Sequence, residues 1–436
     1  MMSSILHSMF RLPTIERFMD NALSQLRNGI SGLFLLPKSI PLDDFQFEIR
    51  AEFDLRRIDY LEIDLNNASD SDCPVICLCK AVNIQWKDPT TPRILSQLPD
   101  SCILGEPIPD MVWIKGLENQ ASDTIMQWIN ASQIWAENGK IIRDRGYRLP
   151  SICIVLSTSK CIDVPNNDIF FRVYCWWGMP SLLETRMLCA EIDGFVSDDS
   201  NWRRYIVPHL CAGDLFLLSH LFSAKSLDEK EIGLSLMNAA YERGWTRDFL
   251  VSIGAGDYMS LNNLNIFHEE EDPFGALFKL WGEGIVNSYP GTGLFFSSPA
   301  LYVMGKHAEI RHRLWCGQLE LVMPMLNNVR LAICSYLTMK HGKDWPIRYS
   351  KPKDPQEEAA VRENPINCQF GHLETVLFNW PGRIHIFKSL ANHLKVLRYF
   401  RNEIAHNRSI RFCDYQDICE TVEQVLSILR KETSFP

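Results

Sequence analysis

Along the first 190 residues the apolar positions alternate between two spacings. Residues 15–26 place them three and four apart and stop before Gly29, which predicts an amphipathic helix with a glycine terminator. Residues 32–36 form a short apolar run, which predicts a buried strand. Helical spacing returns over 45–55, and 60–65 reads as a strand. Residues 75–79 also read as a strand, with Cys77 and Cys79 on one face. Strands are predicted at 111–114, 152–156 and 171–176, with a helix over 122–138 and another beginning near Leu182. Strands that alternate with helices imply an α/β domain with a mostly parallel sheet.

Beyond residue 194 the strand signal fades. Residues 202–222 and 229–243 are helical in period, and Gly244 marks a stop. They predict a small helical or winged-helix-like segment over 195–290, closed by the Pro290–Gly291 punctuation within 288–292. A long helix follows over 309–340. Residues 341–365, rich in Lys, Pro and Glu, read as an exposed loop, in which Lys343, Arg348, Lys351 and Lys353 are candidates for an RNA-guiding arm. Leu390, Leu394, Leu397, Phe400 and Ile404 then mark one face of a further helix. Asn407 suits its end, because asparagine tolerates the left-handed cap conformation. Asp414 reads as the N-cap of the next helix. The resulting organisation is 1–194 α/β, 195–290 helical or winged-helix-like, and 291–436 helical.

The end of that second-last helix carries the candidate chemistry: Arg401, Asn402, Glu403, Ile404, Ala405, His406. Arginine is permanently charged and offers a planar fork of donors that fits phosphate. Histidine gives or takes a proton near neutral pH. Asn402 and His406 are four apart and share a face, and the long Arg401 stem reaches the same edge. RNA contains its own nucleophile, the 2′-hydroxyl, so these groups are the parts needed to cut it without a metal. The structural alternative is that Arg401 and His406 cap carbonyls or pack against a neighbouring helix.

Residues 397–408 resemble the signature of the HEPN superfamily, in which Arg, a polar residue and His recur at this spacing. The likeness is to the branch of nuclear RNA-surveillance endonucleases and their bacterial relatives, and it extends to the 309–340 helix with Trp315, Gln318, Leu321, Pro324, Leu326 and Arg330. It covers the last third of the chain. It implies a helical bundle, a metal-independent endoribonuclease, and paired chains whose two Arg/His sets meet in one cleft, so that a lone protomer is inactive. Arg401, Asn402 and His406 are then the catalytic residues. Some HEPN domains are instead non-catalytic dimerisation modules.

The N-terminal pattern resembles a P-loop ATPase of the AAA+/STAND type that has lost its engine. Phosphate binding after the first strand needs glycines whose amides wrap the anion, then Lys and Ser/Thr. Here the segment is Leu35, Leu36, Pro37, Lys38, Ser39, Ile40, Pro41. Lys38–Ser39 keeps the last pair, but the glycines are missing and two prolines remove amides. Lys115 stands where a magnesium-holding aspartate belongs, Glu118 alone carries no weight, Ser157 and Thr158 follow the sensor strand, and Arg186 mimics a sensor arginine. No cofactor is expected. Trp176 and Trp177 read as packing anchors.

Composition narrows this only slightly. The chain has 436 residues, 46% hydrophobic and 22% charged, as ordinary globular proteins do. No apolar run of membrane-spanning length and no secretory leader is evident, so a cytoplasmic protein is expected. Fourteen scattered cysteines fit small buried residues in a reducing compartment. Net charge is −9, yet residues 301–436 carry 19 Lys/Arg against 14 Asp/Glu while the rest carry 25 against 39. A basic C-terminal module is compatible with RNA contact confined there. The acidic run 268–272 with His268 reads as a solvated loop, and His307 and His312 read as structural.

The two resemblances imply an endoribonuclease effector of a prokaryotic antiphage defence or toxin system, regulated by an inactive ATPase-like domain; the defence context rests on the resemblance alone. Its partners are RNA, a second copy of the chain through the C-terminal domain, and other defence proteins. The alternative is a non-catalytic HEPN adaptor within a multi-protein assembly, or an antitoxin-like partner.

Overall fold

The structure, a computed structural model, describes residues 2–66, 73–82, 108–144, 149–160, 164–165, 167–192, 200–211, 213–224, 227–260, 273, 275–289, 293–350, 352, 354–379 and 385–433. The acidic run 268–272 and the residues Lys351 and Lys353 lie outside this set.

The N-terminal part is α/β. It runs α1 (Met2–Met9), α2 (Pro13–Arg27), β1 (Ser31–Leu36), α3 (Leu42–Leu55), β2 (Tyr60–Asp64), α4 (Pro74–Ala81), β3 (Met111–Lys115), α5 (Ser122–Asp144), β4 (Ser151–Ser157), β5 (Phe171–Cys175) and α6 (Leu182–Ile192). The five strands form one parallel sheet in the order β2-β3-β4-β1-β5. Interior strand β1 is buried along its whole length, as an apolar run covered on both faces must be. Phe10, Phe18, Phe34, Phe45 and Trp176 form an aromatic cluster against it, with ring centroids 5.4–6.1 Å apart for successive pairs.

One expected strand is a helix. Residues 75–79 lie in α4, and Pro74 occupies its first turn, where a missing amide costs nothing. Cys79 is buried inside α4, and burial pushes its thiol up to about 12.

The middle of the chain is α7 (Ser200–Cys211), α8 (Leu215–Ser223), α9 (Glu229–Glu242), α10 (Arg247–Ser252), α11 (Ala255–Ser260) and α12 (Phe278–Gly282). The helical period over 202–222 is therefore two helices, and Asp214 accepts from the Leu217 amide at the start of the second. A hairpin, β6 (Val286–Tyr289) with β7 (Gly293–Phe296), flanks the punctuation at 290–292. Then come α13 (Ser298–Val303), α14 (His307–His341), α15 (Trp345–Tyr349), α16 (Pro355–Glu363), α17 (Phe370–Asn379), α18 (His385–Ala405) and α19 (Phe412–Thr433), so the C-terminal part is helical.

The expected loop at 341–365 contains α15 and α16 instead. Trp345 is fully buried and its indole N–H donates to Thr338 Oγ1 at 2.9 Å, which folds α15 back onto α14. Asp354 caps α16 by accepting from the Gln356 amide.

Two compact units result: residues Met1–Ile192, Cys211–Ser219 and Ala239–Met304, and residues Asp193–Leu210, His220–Asn238 and Gly305–Pro436. In the second unit α14 packs against α18 and α19. Gly317 lets α14 approach α7 closely, since a Cβ there would lie 2.6 Å from the Tyr205 carbonyl oxygen. No described helix is long and apolar enough to cross a membrane.

Candidate active site at the end of α18

The apolar stripe Leu390, Leu394, Leu397, Phe400 and Ile404 is buried, as its period predicts. That fixes the rotation of α18. Arg401 and Asn402 come out half-buried, and His406 comes out exposed. Arg401 Nη1 donates to Asn402 Oδ1 at 3.2 Å, so the guanidinium and the amide touch. The His406 backbone N–H donates to the Asn402 carbonyl at 3.0 Å. The three predicted residues therefore share the last turn and a half of one helix.

The helix stops where expected. Asn407 has φ 58°, and the Arg408 amide donates to the Glu403 carbonyl at 3.0 Å while the Asn407 amide donates to Ile404 at 3.2 Å. Those two bonds around a left-handed residue are a Schellman cap, with His406 as the C-cap residue. Arg408 pairs with Glu403 at 2.9 Å across it. Asn407→Gly should therefore be neutral or slightly stabilising, and Asn407→Val should lose about 1–2 kcal/mol, because a branched side chain is penalised in that region. Urea midpoints check both, and equal midpoints for Gly and Val would refute the cap assignment.

Helix α14 pins the cap from one side. The Trp315 indole N–H donates to the Ile404 carbonyl at 2.6 Å. Gln318 is fully buried; its Nε2 donates to the Ile410 carbonyl at 2.7 Å and its Oε1 accepts from the Ile410 amide at 2.8 Å. These bonds satisfy backbone groups that a helix end leaves open. The next helix begins differently from expectation. Asp414 is not the N-cap but the third residue of α19, and its carboxylate reaches back to accept from the Arg411 amide at 2.9 Å. That is half of a capping box. Asp414 also takes the Arg411 guanidinium at 2.9 and 3.1 Å, and this partner holds its carboxyl below the usual range.

Sequence reasoning set His312 aside as structural, but the fold places it against Trp315, the residue that holds the cap. Its imidazole stacks on Trp315, with centroids 5.3 Å apart and planes at 27°. Cys316 Sγ lies 3.7 Å from His312 Nε2. The signal was present as His312, Trp315 and Cys316 at helical spacing, but nothing local says that Trp315 reaches Ile404.

The exposed face of α18 has a further feature. Val396 and Tyr399 are 38% and 59% exposed and sit six and three residues before Asn402, on the stripe that ends at His406.

In the first unit, the carboxyl edge of the sheet is occupied by the chain itself. The Lys38 amide and the Thr158 hydroxyl both donate to the Gly282 carbonyl at 2.9 Å. Lys38 Nζ pairs with Glu283 at 2.6 Å. A Cβ at Gly282 would meet Thr158 Oγ1 at 2.9 Å, and one at Gly284 would meet the Ser39 Cβ at 2.9 Å. The Trp281 indole donates to the Trp176 carbonyl at 3.0 Å, and both tryptophans are buried as packing anchors. Lys115 pairs with Glu62 on the neighbouring strand at 3.0 Å. Beside this segment lies a small open pocket, bordered by Ser39, Trp176, Asp214, Trp281 and Tyr289. Its carboxylate, Asp214, is already held by the Arg243 guanidinium.

No family model matches the sequence, and no curated protein matches it. Among solved structures the chain is similar to one in the structure of Drosophila ORC bound to poly(dA/dT) DNA and Cdc6, at 9% identity over 98% of this chain and 70% of that one, with a TM-score of 0.27. At that level the likeness assigns neither fold nor function.

Proposed function

We propose that this chain is a metal-independent endoribonuclease of the HEPN type, a cytoplasmic effector of a prokaryotic antiphage defence or toxin system. The observation that supports it is the placement of Arg401, Asn402 and His406 on one capped helix end, with the imidazole exposed and the backbone fixed by Trp315 and Gln318. Helix ends held this rigidly position a proton-transfer group without using its side chain for packing.

In this reading the Arg401 fork holds the scissile phosphate and the charge that develops on it. Asn402 orients the guanidinium. His406 takes the 2′-hydroxyl proton as that oxygen attacks phosphorus. The products are a 2′,3′-cyclic phosphate and a free 5′-hydroxyl. A homodimer through the C-terminal domain brings two such sets to a shared cleft, and the exposed Val396 and Tyr399 stripe suits an isologous contact.

The test is cleavage of a labelled RNA. Activity should survive EDTA, stop when the 2′-hydroxyl at the cut is replaced by hydrogen, and leave a cyclic phosphate. Inhibition by EDTA, or cutting of the deoxy-substituted site, would sink the mechanism.

The adaptor reading is favoured by the same apolar stripe, which a protein partner would also cover, and by the filled sheet edge. Other proteins of a defence assembly are the partners in that case. Sedimentation and cleavage measured on one preparation separate the two: a stable dimer inert toward every RNA tried supports the adaptor.

The N-terminal domain is read as a degenerate P-loop ATPase-like domain without a nucleotide, which regulates rather than drives the effector. Pro37 and Pro41 remove amides, and Lys38 is already paired. Calorimetric titration with magnesium and ATP should show no binding at micromolar concentrations. Micromolar binding that Lys38→Ala abolishes would overturn this assignment.

A further inference from the structure

We infer that His312 is the second proton-transfer group of the same site, supplied by the same chain as His406. The inference rests on the cleavage reading above and goes beyond it, because there each set has a single imidazole.

Cleavage by the 2′-hydroxyl needs two proton movements. One proton leaves the 2′-oxygen as the O2′–P bond forms. Another must reach the 5′-oxygen as the P–O5′ bond breaks, since an alkoxide is a poor leaving group. His406 can accept the first. Among the described residues, His312 is linked to that helix end through Trp315. The Trp315 indole donates to the Ile404 carbonyl at 2.6 Å, and the same indole is stacked by His312 at 5.3 Å. Ile404 lies three residues after Arg401 and two before His406. Trp315 is therefore a bridge whose edge holds the catalytic helix end and whose face orients a second imidazole.

The surroundings of His312 suit proton transfer. The residue is exposed, so substrate can reach it. Stacking fixes the ring plane without using either ring nitrogen. The remaining contact, Cys316 Sγ at 3.7 Å from Nε2, is weak, and a leaving oxygen can displace it. Burial pushes the Cys316 thiol up, and Glu320 adds to this, so the sulfur stays neutral beside the ring. His406 takes the 2′-hydroxyl proton, the O2′–P bond forms, the P–O5′ bond breaks, and protonated His312 gives its proton to O5′. Two paired chains then carry two complete sets, each with its own base, acid and arginine.

The test uses the full-length protein and two RNA substrates of one sequence. One is ordinary; in the other the bridging 5′-oxygen at the cut is sulfur, which leaves as a thiolate and needs no proton. His312→Ala should slow cleavage of ordinary RNA by roughly a hundredfold. It should recover to within a few-fold of the unmodified protein on the sulfur-bridged RNA. His406→Ala should stay slow on both. His312→Gln, which keeps a planar group on Trp315 but cannot carry the proton, should show the same recovery, and this separates chemistry from lost stacking. The inference is overturned if His312→Ala cuts ordinary RNA at the unmodified rate, or if both His312 variants are equally slow on the two substrates. If the unmodified protein cuts neither RNA, the ribonuclease reading falls and takes this inference with it.

Discussion

His406→Ala should lower RNA cleavage by roughly a hundredfold or more while leaving the melting temperature nearly unchanged. The two halves of that expectation come from the same geometry. The imidazole is exposed at the C-cap position, where only the backbone of His406 joins the cap. Removing the side chain deletes a proton-transfer group and almost no packing. Arg401→Lys should fail similarly, since lysine keeps the charge but loses the bidentate fork and the contact with Asn402 at 3.2 Å. The adaptor reading expects the opposite pattern: the dimer weakens or melts earlier, and no RNA is cut by any form. Cleavage rate, melting temperature and sedimentation on the same variant decide between them. Full activity in His406→Ala would place the chemistry elsewhere.

Glu184→Ala should destabilise the first unit by about 3 kcal/mol, the scale for removing a buried charged acceptor from several donors. Glu184 lies on α6 and is only 4% exposed. One carboxylate oxygen accepts from the Thr14 amide at 2.6 Å. The other accepts from the Thr14 hydroxyl at 2.5 Å and from the Ser181 amide and hydroxyl at 2.9 Å each. Helix α2 begins after Leu12, which has no capping side chain, so Glu184 caps it from a distant part of the sequence.

Burial pushes this carboxyl up, but the Thr14 and Ser181 donors outweigh it and bring it below its ordinary range. The folded state thus favours the ionised form more than the unfolded state does. The contribution is present above the unfolded carboxylate value, about 4.3, and is lost as pH falls through the folded value. Glu184→Gln, which cannot ionise, should trail the unmodified protein in urea midpoint at pH 7, with the gap narrowing on acidification. A gap that stays constant to pH 3 would show that ionisation of Glu184 is not the source.

What the sequence made legible follows the range of the interactions involved. The buried stripe of α18, the left-handed Asn407 and the long α14 are set by spacing or by local chain stereochemistry, and a reader of the sequence reaches them. Strands β1 and β4 are built on buried apolar runs, which also show plainly. Short apolar runs are ambiguous: the spacing of residues 75–79 suits a strand, while Pro74 in the first turn starts a helix there. Residues 341–365 looked like a loop because their charges masked Trp345, while the pair Asp354–Pro355 announced a helix start that composition obscured. Asp414 was misplaced by three residues for a similar reason: a carboxylate at either end of that first turn looks the same in sequence. His312 and the occupied sheet edge were beyond reach. Each depends on a contact about 90 or more residues long, Trp315 to Ile404 and Thr158 to Gly282.

That occupied edge bears on how such a domain can change over generations. Placing glycine at positions 37 and 41 would add two amides, but the Lys38 amide, its ammonium and the Thr158 hydroxyl would still face Gly282 and Glu283. Substituting Glu283 alone would free the lysine while leaving the prolines in place. Neither step brings phosphate binding by itself, so selection for nucleotide use has no single favourable substitution to act on. The glycines at 282 and 284 are equally constrained, because any side chain there collides with Thr158 or Ser39. On the proposed P-loop reading, nucleotide use is thus opposed on two independent fronts, by the prolines and by the segment that fills the sheet edge.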